Sequence, residues 1–165
     1  MPTLASLSLQ NLLGIRYPIV QAPMAGGPTT PRLVATVSNA GALGSLAGAR
    51  VAPDRLREQI REVKSLTDRP FAVNFLIPSP VPNNQPLDAV QDLLDGYRAE
   101  LGLPPGPREV KPPAFTAQEG LEVALAEGAP VISVALGHPG GMTELAHRAG
   151  ALRSEEHTSE LQSLA

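Results

Sequence analysis

The chain of 165 residues is 42% hydrophobic and 18% charged, carries a formal net charge of -3 at pH 7, and contains no cysteine. This composition supplies enough apolar side chain for one core, and it excludes disulfide frameworks, thiolate metal sites and cysteine nucleophiles. Aromatic residues make up only 3% of the chain and no basic patch is present, which disfavours nucleic-acid binding. No apolar run approaches the roughly 20 residues of a membrane span, and the start of the chain lacks the basic region of a secretory signal, so we expect a cytoplasmic protein that acts on small molecules.

Four short segments of almost continuously apolar residues are predicted to be β-strands. In chain order they are residues 17–22, 42–46, 71–77 and 131–136. Strands that are apolar on both faces are typical of a parallel sheet that helices cover. The segments between them should therefore contain helices.

Helix signals occupy the intervening segments. Thr30 is a candidate N-cap for a helix over residues 31–38, and residues 53–67 place Leu56, Ile60 and Val63 on one helical face. Thr116 and Glu119 have the spacing of a capping box, which predicts a helix to about residue 127. Three predicted junctions between a helix and an apolar run contain glycine, a residue that adopts the left-handed conformation at low cost; these glycines are Gly41, Gly128 and Gly150.

The alternation of strands and helices predicts an α/β fold that forms the N-terminal half of a (β/α)8 TIM barrel, truncated after about four βα units. A complete barrel takes about 250 residues. We assign residues 1–152 to this partial barrel domain.

A proline-rich insertion over residues 78–113 interrupts the alternation. Its apolar residues recur at helical spacing as Leu87, Val90, Leu94, Tyr97 and Leu101. The insertion leaves the carboxyl end of a predicted strand, where barrel enzymes place their ligands. A lid over a site and a helix that merely covers the barrel surface are both consistent with this pattern.

The last segment changes character. Residues 153–163 are mostly polar, where a buried strand should continue after Leu152. Their sequence resembles a translated sequencing-library adapter. We therefore expect residues 153–165 to be a non-native tail.

Candidate ligand-binding residues lie at the carboxyl ends of the predicted strands, where parallel α/β folds bind ligands. After the first strand, the segment from Gln21 to Gly27 contains small residues and paired glycines that would let a planar ligand approach the backbone closely, and Pro23 fixes the turn. In the third strand, Asn74 places an amide among apolar neighbours, which is costly unless the amide is hydrogen-bonded to a ligand or to the protein.

Three motifs together resemble the nitronate monooxygenase family, formerly called 2-nitropropane dioxygenases. They lie at residues 17–27, 38–45 and 71–75, and the resemblance covers about residues 10–152. It implies an FMN-dependent (β/α)8 barrel that oxidises alkyl nitronates with O2 to a carbonyl compound and nitrite. It further implies that Ala22, Pro23 and Met24 line the isoalloxazine ring and that Asn74 hydrogen-bonds to it.

No catalytic residue and no metal ligand are assigned. The family's catalytic histidine belongs to a Gly-Gly-His motif, whereas here Gly140 and Gly141 are followed by Met142. His138 follows the fourth predicted strand and either faces the flavin pocket or lies in an exposed loop, and His147 is expected on the surface at a helix end. The chain alone is therefore expected to be inactive.

Two alternatives remain open. One is a flavin-dependent enoyl-acyl-carrier-protein reductase, which shares a similar first motif. The other is a non-enzymatic half-barrel that pairs with itself or with another chain.

Overall fold

The computed structural model describes residues 8–77, 88–108, 114–137 and 140–155. Contacts divide the chain into two compact units, Pro80–Pro113 and the remainder. Within the described ranges the helices and strands are, in chain order, α1 (Leu9–Leu13), α2 (Pro31–Asn39), β1 (Gly44–Ala47), α3 (Pro53–Leu66), β2 (Phe71–Leu76), α4 (Asp88–Glu100), α5 (Ala117–Ala126), β3 (Val131–Ala135), α6 (Met142–Arg148) and β4 (Leu152–Glu155).

The four strands form one parallel sheet in the order β1-β2-β3-β4. Each strand pairs with the next one in the chain, and a helix connects each pair across one face. This order has no reversal, as in a barrel and unlike a doubly wound sheet. The predicted α/β fold with a parallel sheet is confirmed, and closure of a whole barrel stays a prediction.

One face of the sheet packs against α2, α3, α5 and α6. Alternate strand residues point to this face, because side chains in a strand alternate between its two sides. The shared core contains Leu46, Val73, Phe75, Ile132 and Val134 from the strands. Helix α3 contributes the three residues that the sequence places on its apolar face, Leu56, Ile60 and Val63, and all three are fully buried.

The helix ends confirm the predicted signals. Thr30 caps α2 by accepting a hydrogen bond from the Leu33 N–H, and Thr116 forms the complete capping box with Glu119 at the start of α5. The three glycines of the αβ junctions all adopt positive φ, at 96° for Gly41, 72° for Gly128 and 75° for Gly150. They stop α2, α5 and α6 and redirect the chain into the sheet.

Helix α1 closes the amino ends of the strands on the other face. Its Leu13 and the following Ile15 form a second buried cluster with Leu43, Ala72 and Val131, which lie just before or at the start of β1, β2 and β3. The carboxyl ends of the strands lie at the opposite edge.

The prediction of a first strand over residues 17–22 is wrong. This segment forms a single parallel bridge, between Val20 and Leu43. Two backbone hydrogen bonds make it: the Leu43 N–H donates to the Ile19 carbonyl and the Gln21 N–H donates to the Leu43 carbonyl, both at 2.9 Å. The next bond of this pattern would join the Ser45 N–H to the Gln21 carbonyl, but the Ser45 N–H donates to the Gln21 side chain instead. The next donor on this segment would be residue 23, which is proline and has no N–H. The ladder therefore ends after two bonds.

The insertion contains a compact unit of its own, Pro80–Pro113. Helix α4 buries none of its residues, and Val90, Leu94, Tyr97 and Leu101 of the predicted stripe are exposed, whereas Leu87 lies outside the described residues. On its polar side Arg108 forms ion pairs with Asp92 at 2.7 Å and with Asp95 at 2.9 Å. These ion pairs tie the segment after α4 back to the helix. The role of the insertion as lid or cover stays a prediction.

Strand β4 crosses the proposed boundary at residue 152. Leu152 pairs with Val131, and the backbone pairing continues to Glu155 opposite Val134. Because ladder hydrogen bonds are made by backbone groups, any residue except proline can extend them. The non-native origin of residues 153–165 therefore stays a prediction.

A cluster of charges ties α3 to the end of α5. Glu127 accepts two hydrogen bonds from Arg61, at 2.7 and 2.9 Å, and lies 3.4 Å from Arg57, while Lys64 donates to the Glu127 carbonyl at 2.8 Å. The hydrogen bonds from Arg61, together with the positive charges of Arg57 and Lys64, hold the pKa of the Glu127 carboxyl below its ordinary value.

This cluster makes stability depend on pH. A carboxyl whose folded pKa is lowered stabilises the fold above its unfolded pKa and loses that contribution as pH falls through the folded value. We expect denaturant midpoints of the wild-type chain to fall between about pH 5 and pH 2. In Glu127→Gln the fall should be shallower, whereas in Glu62→Gln, a change of an exposed carboxylate on α3, it should match wild type. If the denaturant midpoint falls equally steeply with decreasing pH in all three proteins, Glu127 does not cause the pH dependence.

Candidate functional site

The candidate site lies at the carboxyl edge of the sheet, beside the loop of residues 22–29. In this loop Ala22 and Met24 are exposed and Pro23 is half-buried. Gly26 and Gly27 adopt positive φ values of 85° and 116°, and a Cβ at either position would meet no atom within 4 Å. The loop therefore presents small groups and open space at the edge where parallel sheets bind ligands.

The side chain of Gln21 replaces the backbone ladder that Pro23 interrupts. Its Oε1 accepts from the Ser45 N–H at 3.1 Å, and its Nε2 lies 3.4 Å from the Ser45 carbonyl. A primary amide carries the same donor and acceptor as a peptide group, so it can pair with β1 where a proline backbone cannot. The chain can therefore leave the sheet at Pro23 while the Ser45 N–H and carbonyl of β1 keep hydrogen-bonding partners in the Gln21 side chain.

Thr29 holds the other end of the loop. Thr29 is buried, with 5% of its surface exposed. Its hydroxyl oxygen accepts hydrogen bonds from the Met24 N–H at 2.8 Å and from Gln21 Nε2 at 3.5 Å. The Met24 N–H is therefore occupied within the protein. A ligand at this loop would meet the Met24 side chain or the remaining backbone groups.

Asn74 lies on the face of the sheet opposite the four covering helices, and it is 3% exposed. Its Nδ2 donates to Ser133 Oγ at 3.0 Å, and Ser133 is its register partner on β3. Within the described residues this is the only hydrogen bond that the Asn74 side chain makes. Its neighbour in register on β1 is Ala47, so the face around the amide is lined by small side chains.

Backbone strain marks the same edge. Leu136, directly after β3, has a φ of 76°, a left-handed conformation that costs a residue with a Cβ on the order of 1 kcal/mol or more. The following Gly137 packs against the residue after β2, because a Cβ there would lie 2.5 Å from the Ile77 carbonyl oxygen. His138 lies outside the described residues, and His147 is exposed at the end of α6, as expected.

The second motif, residues 38–45, builds the junction between α2 and β1. A Cβ on Gly44 would lie 2.2 Å from the Val34 carbonyl oxygen, so glycine permits the close approach of strand to helix. The buried Ser38 hydroxyl accepts from the Gly44 N–H at 3.2 Å. This motif positions the strand beside the site.

A family model described as nitronate monooxygenase matches residues 7–161. The chain belongs to this family. It is 36% identical over 138 residues to a "Probable nitronate monooxygenase" of Staphylococcus saprophyticus, covering 81% of this chain and 38% of that protein. It is 47% identical over 96 residues to a nitronate monooxygenase of Pseudomonas aeruginosa, covering 58% of this chain and 27% of that protein.

Solved structures of the same fold agree with the family. The nitroalkane oxidase of Streptomyces ansochromogenes has a TM-score of 0.71 and 33% identity, over 86% of this chain and 40% of that one. FabK of Thermotoga maritima has a TM-score of 0.66 and 26% identity, over 94% of this chain and 39% of that one. The chain thus spans about 40% of the solved structures that it matches.

For this member of the nitronate monooxygenase family, the structure brings the predicted site residues to neighbouring elements. The loop with Ala22, Pro23 and Met24 follows the segment beside β1, and β1 pairs with β2, which carries Asn74. Sequence reasoning missed Gln21, Thr29 and Ser133 as supporting residues. Gln21 could have been found from the sequence, because it places a side-chain amide two positions before a proline at the end of a predicted strand.

Two features are not found in the described part of this chain. None of its helices has both the length and the apolar character that a membrane crossing needs. No group of three or more histidine, aspartate or glutamate side chains in those residues is arranged to hold a metal ion.

Replacing Gln21 should release the loop from the sheet. In Gln21→Leu the buried Ser45 N–H loses its acceptor, and an unpaired buried donor costs about 1–3 kcal/mol. We expect a lower free energy of unfolding and faster hydrogen exchange at the Ser45 amide. Gln21→Glu keeps an acceptor and should retain the slow exchange, and Gln118→Leu, an exposed control on α5, should change neither. If the Ser45 amide exchanges as slowly in Gln21→Leu as in wild type, the Gln21 side chain does not replace the backbone hydrogen bonds of the ladder.

Proposed function

We propose that this chain is the N-terminal part of an FMN-dependent nitronate monooxygenase, an oxidoreductase that converts alkyl nitronates and O2 to a carbonyl compound and nitrite. Membership of the family supports the reaction class. The observation that carries the proposal is the buried Asn74 amide, with one side-chain hydrogen bond, on the face of the sheet beside the loop of residues 22–24.

The residues present fit a flavin. The loop and the face around Asn74 are uncharged and small, formed by Ala22, Pro23, Ala47 and Asn74, and such a surface suits a neutral planar ring. Asn74 offers polar atoms that a ring of nitrogen and carbonyl groups can satisfy. FMN, when bound, supplies the redox chemistry, for which the described side chains at this edge offer no substitute.

The protein's own contribution is position. Gln21 and Thr29 hold the loop at both ends, so Ala22, Pro23 and Met24 would offer the ring a fixed surface. Asn74 fixes the edge of the ring by hydrogen bonding. A ligand oriented in this way reacts from one geometry, which lowers the entropic part of the barrier.

The chain alone is proposed to be inactive and to bind flavin weakly. It contains no Gly-Gly-His sequence, and the phosphate-binding loops that the family resemblance implies are expected beyond these residues. Purification of the 165-residue chain with stoichiometric yellow flavin would contradict this. The cytoplasmic location stays a prediction.

The decisive experiment is to sequence the gene past codon 152 from intact DNA and to express its product. We expect a reading frame that replaces residues 153–165 and contains Gly-Gly-His after the next strand. The purified product should contain FMN and consume O2 when an alkyl nitronate is added. Adapter-like codons in intact DNA would refute the proposed tail.

The same assay separates the alternatives. A flavin-dependent enoyl-acyl-carrier-protein reductase would oxidise a nicotinamide cofactor with an enoyl thioester, without a requirement for a nitronate. A non-enzymatic half-barrel would sediment as a folded dimer without flavin. The family match and the curated relatives favour the monooxygenase.

A further inference from the structure

We propose a second binding site, for a phosphate group, in a cavity at the amino edge of the sheet. The cavity has a volume of about 180 Å3, smaller than the roughly 300–1,000 Å3 of pockets for drug-sized ligands, so it suits a small ligand. The occupant is inorganic phosphate or the phosphate group of a small ester. The cavity lies at the edge opposite the candidate flavin site, and the proposal does not rest on the function proposed above.

Three junctions between helices and strands form the walls of the cavity. They are the segment after α1, the end of α2 with the turn into β1, and the segment before β2, which contribute residues 14–16, 38–42 and 69–70. None of these residues is acidic, and two of them are arginines, Arg16 and Arg69. The charged side chains of the walls are therefore all positive.

The Arg16 side chain is held in place by two neighbours. An added Cβ on Gly41 would lie 2.9 Å from Arg16 Cβ and 3.5 Å from Arg16 Cδ, so glycine at this position makes room for the Arg16 stem. The guanidinium carbon lies 5.0 Å from the centroid of the Tyr17 ring, within the roughly 6 Å of a cation–π contact. A stacked guanidinium keeps the N–H groups at its edge available, and it loses less conformational entropy when a ligand binds.

Neither arginine is neutralised by a carboxylate in the part of the chain that the structure describes. No ion pair there includes Arg16 or Arg69. Asp68, next to Arg69 in the chain, is not among the residues that line the cavity. Both guanidinium groups are thus available to an anion, which they can bind through paired N–H donors.

Ser38 supplies a third donor to the cavity that it lines. It is 1% exposed, and its Oγ accepts a hydrogen bond from the Gly44 N–H at 3.2 Å. Among the described residues no acceptor is found for its hydroxyl proton. A ligand with several acceptor oxygens would satisfy this proton together with the two arginines.

The end of α2 opposes an anion, but its effect is smaller than that of the arginines. A helix C-terminus carries about half a negative charge, against one full positive charge on each guanidinium. Carbonyls of the last turn already accept hydrogen bonds, Val37 from the Ala42 N–H at 3.2 Å and Ser38 from the Gly41 N–H at 3.0 Å. A phosphate dianion balances both arginines, whereas a carboxylate brings one charge and two oxygens for three donor groups. The walls therefore favour phosphate.

Binding is tested by titrating inorganic phosphate into the 15N-labelled chain at constant ionic strength, with sodium chloride as the balancing salt. We expect saturable shifts at the backbone amides of residues 14–16, 39–42 and 69 and at the side-chain Nε–H signals of Arg16 and Arg69. Arg16→Gln and Arg69→Gln should each weaken binding by about tenfold, the ratio for loss of one charge-assisted hydrogen bond. Arg32→Gln removes an exposed arginine of α2 outside the cavity and should bind phosphate as wild type does.

The variants are needed because phosphate also stabilises proteins by being excluded from their surfaces. Such exclusion does not depend on two side chains. The proposal is overturned if the shifts rise without saturation, or if Arg16→Gln and Arg69→Gln both bind phosphate as tightly as wild type. If one variant fails to fold, the other variant and the arginine Nε–H signals of wild type decide.

Two further ligands test the chemistry of the occupant and its source. Acetate should bind about tenfold more weakly than phosphate, because it offers fewer charge-assisted hydrogen bonds, and equal binding would overturn the choice of phosphate. Glycerol 3-phosphate that binds more tightly than the inorganic ion identifies a small ester as the occupant, and weaker binding identifies the free ion. None of these measurements uses flavin, so failure of the proposed function would not change their outcome.

Discussion

Gly44→Ala is expected to destabilise the chain by about 3 kcal/mol or more, at the upper end of the cost of overpacking a core. The added Cβ would lie 2.2 Å from the Val34 carbonyl oxygen and 2.8 Å from its carbonyl carbon. Both atoms belong to the backbone of α2, so no side-chain rotation can make room. The helix and β1 would have to separate, which opens the core shared by Val34 and Leu46.

The effect of Gly44→Ala is measured as the free energy of unfolding in denaturant. Gly26→Ala is a useful comparison because a Cβ there meets nothing within 4 Å, although its φ is 85°. It reports the cost of positive φ alone, about 1 kcal/mol. If Gly44→Ala were no more destabilising than Gly26→Ala, the close approach would not control stability.

The fold was predictable from the sequence because its signals are local. Cap residues such as Thr30 and the glycines of the αβ junctions act within one turn of the chain, and the apolar face of α3 follows from spacing alone. The prediction of a strand over residues 17–22 was wrong for a reason that is only partly local, because Pro23 lies beside the segment whereas the Gln21 side chain pairs with Ser45, 24 positions later. The apolar residues of the segment suit a strand, but the Pro23 backbone cannot continue the ladder and the Gln21 side chain takes its place.

The candidate site was predictable only in part, for a similar reason. The small residues of the loop and the isolated amide of Asn74 stand out in the sequence. Ser133, however, looks like an ordinary residue of an apolar strand, and its importance depends on a register that places it opposite Asn74, 59 positions earlier. Pairing of distant strands is not visible in local spacing, so supporting residues of this kind emerge only from the fold.

Gly120→Ala is expected to destabilise the chain by about 1–3 kcal/mol, although alanine is the better helix former. Gly120 lies inside α5, and a Cβ there would be 2.7 Å from Phe75 Cε1. Phe75 is 1% exposed, and its Cε1 is also close to Gly48, where an added Cβ would lie 2.7 Å from it. The ring therefore cannot move away from the new methyl group.

Gly96→Ala in α4 is the matched control, because a Cβ there meets nothing within 4 Å. It should increase helicity by circular dichroism, as expected when alanine replaces an exposed helical glycine. A free energy of unfolding of Gly120→Ala that equals that of wild type would contradict the clash.

A double-mutant cycle with Phe75→Leu tests whether the ring is the cause. Phe75→Leu alone should be destabilising, since it removes a buried ring from the core that joins β2 to the helices. In its presence, however, Gly120→Ala should cost little, because leucine lacks the carbon that the new methyl group meets. The coupling energy should be favourable by about 1–2 kcal/mol, in the range for residues in direct contact. Additive effects would instead place the cost of Gly120→Ala in the backbone of α5, and the close packing of α5 on β2 would then not depend on the Phe75 ring.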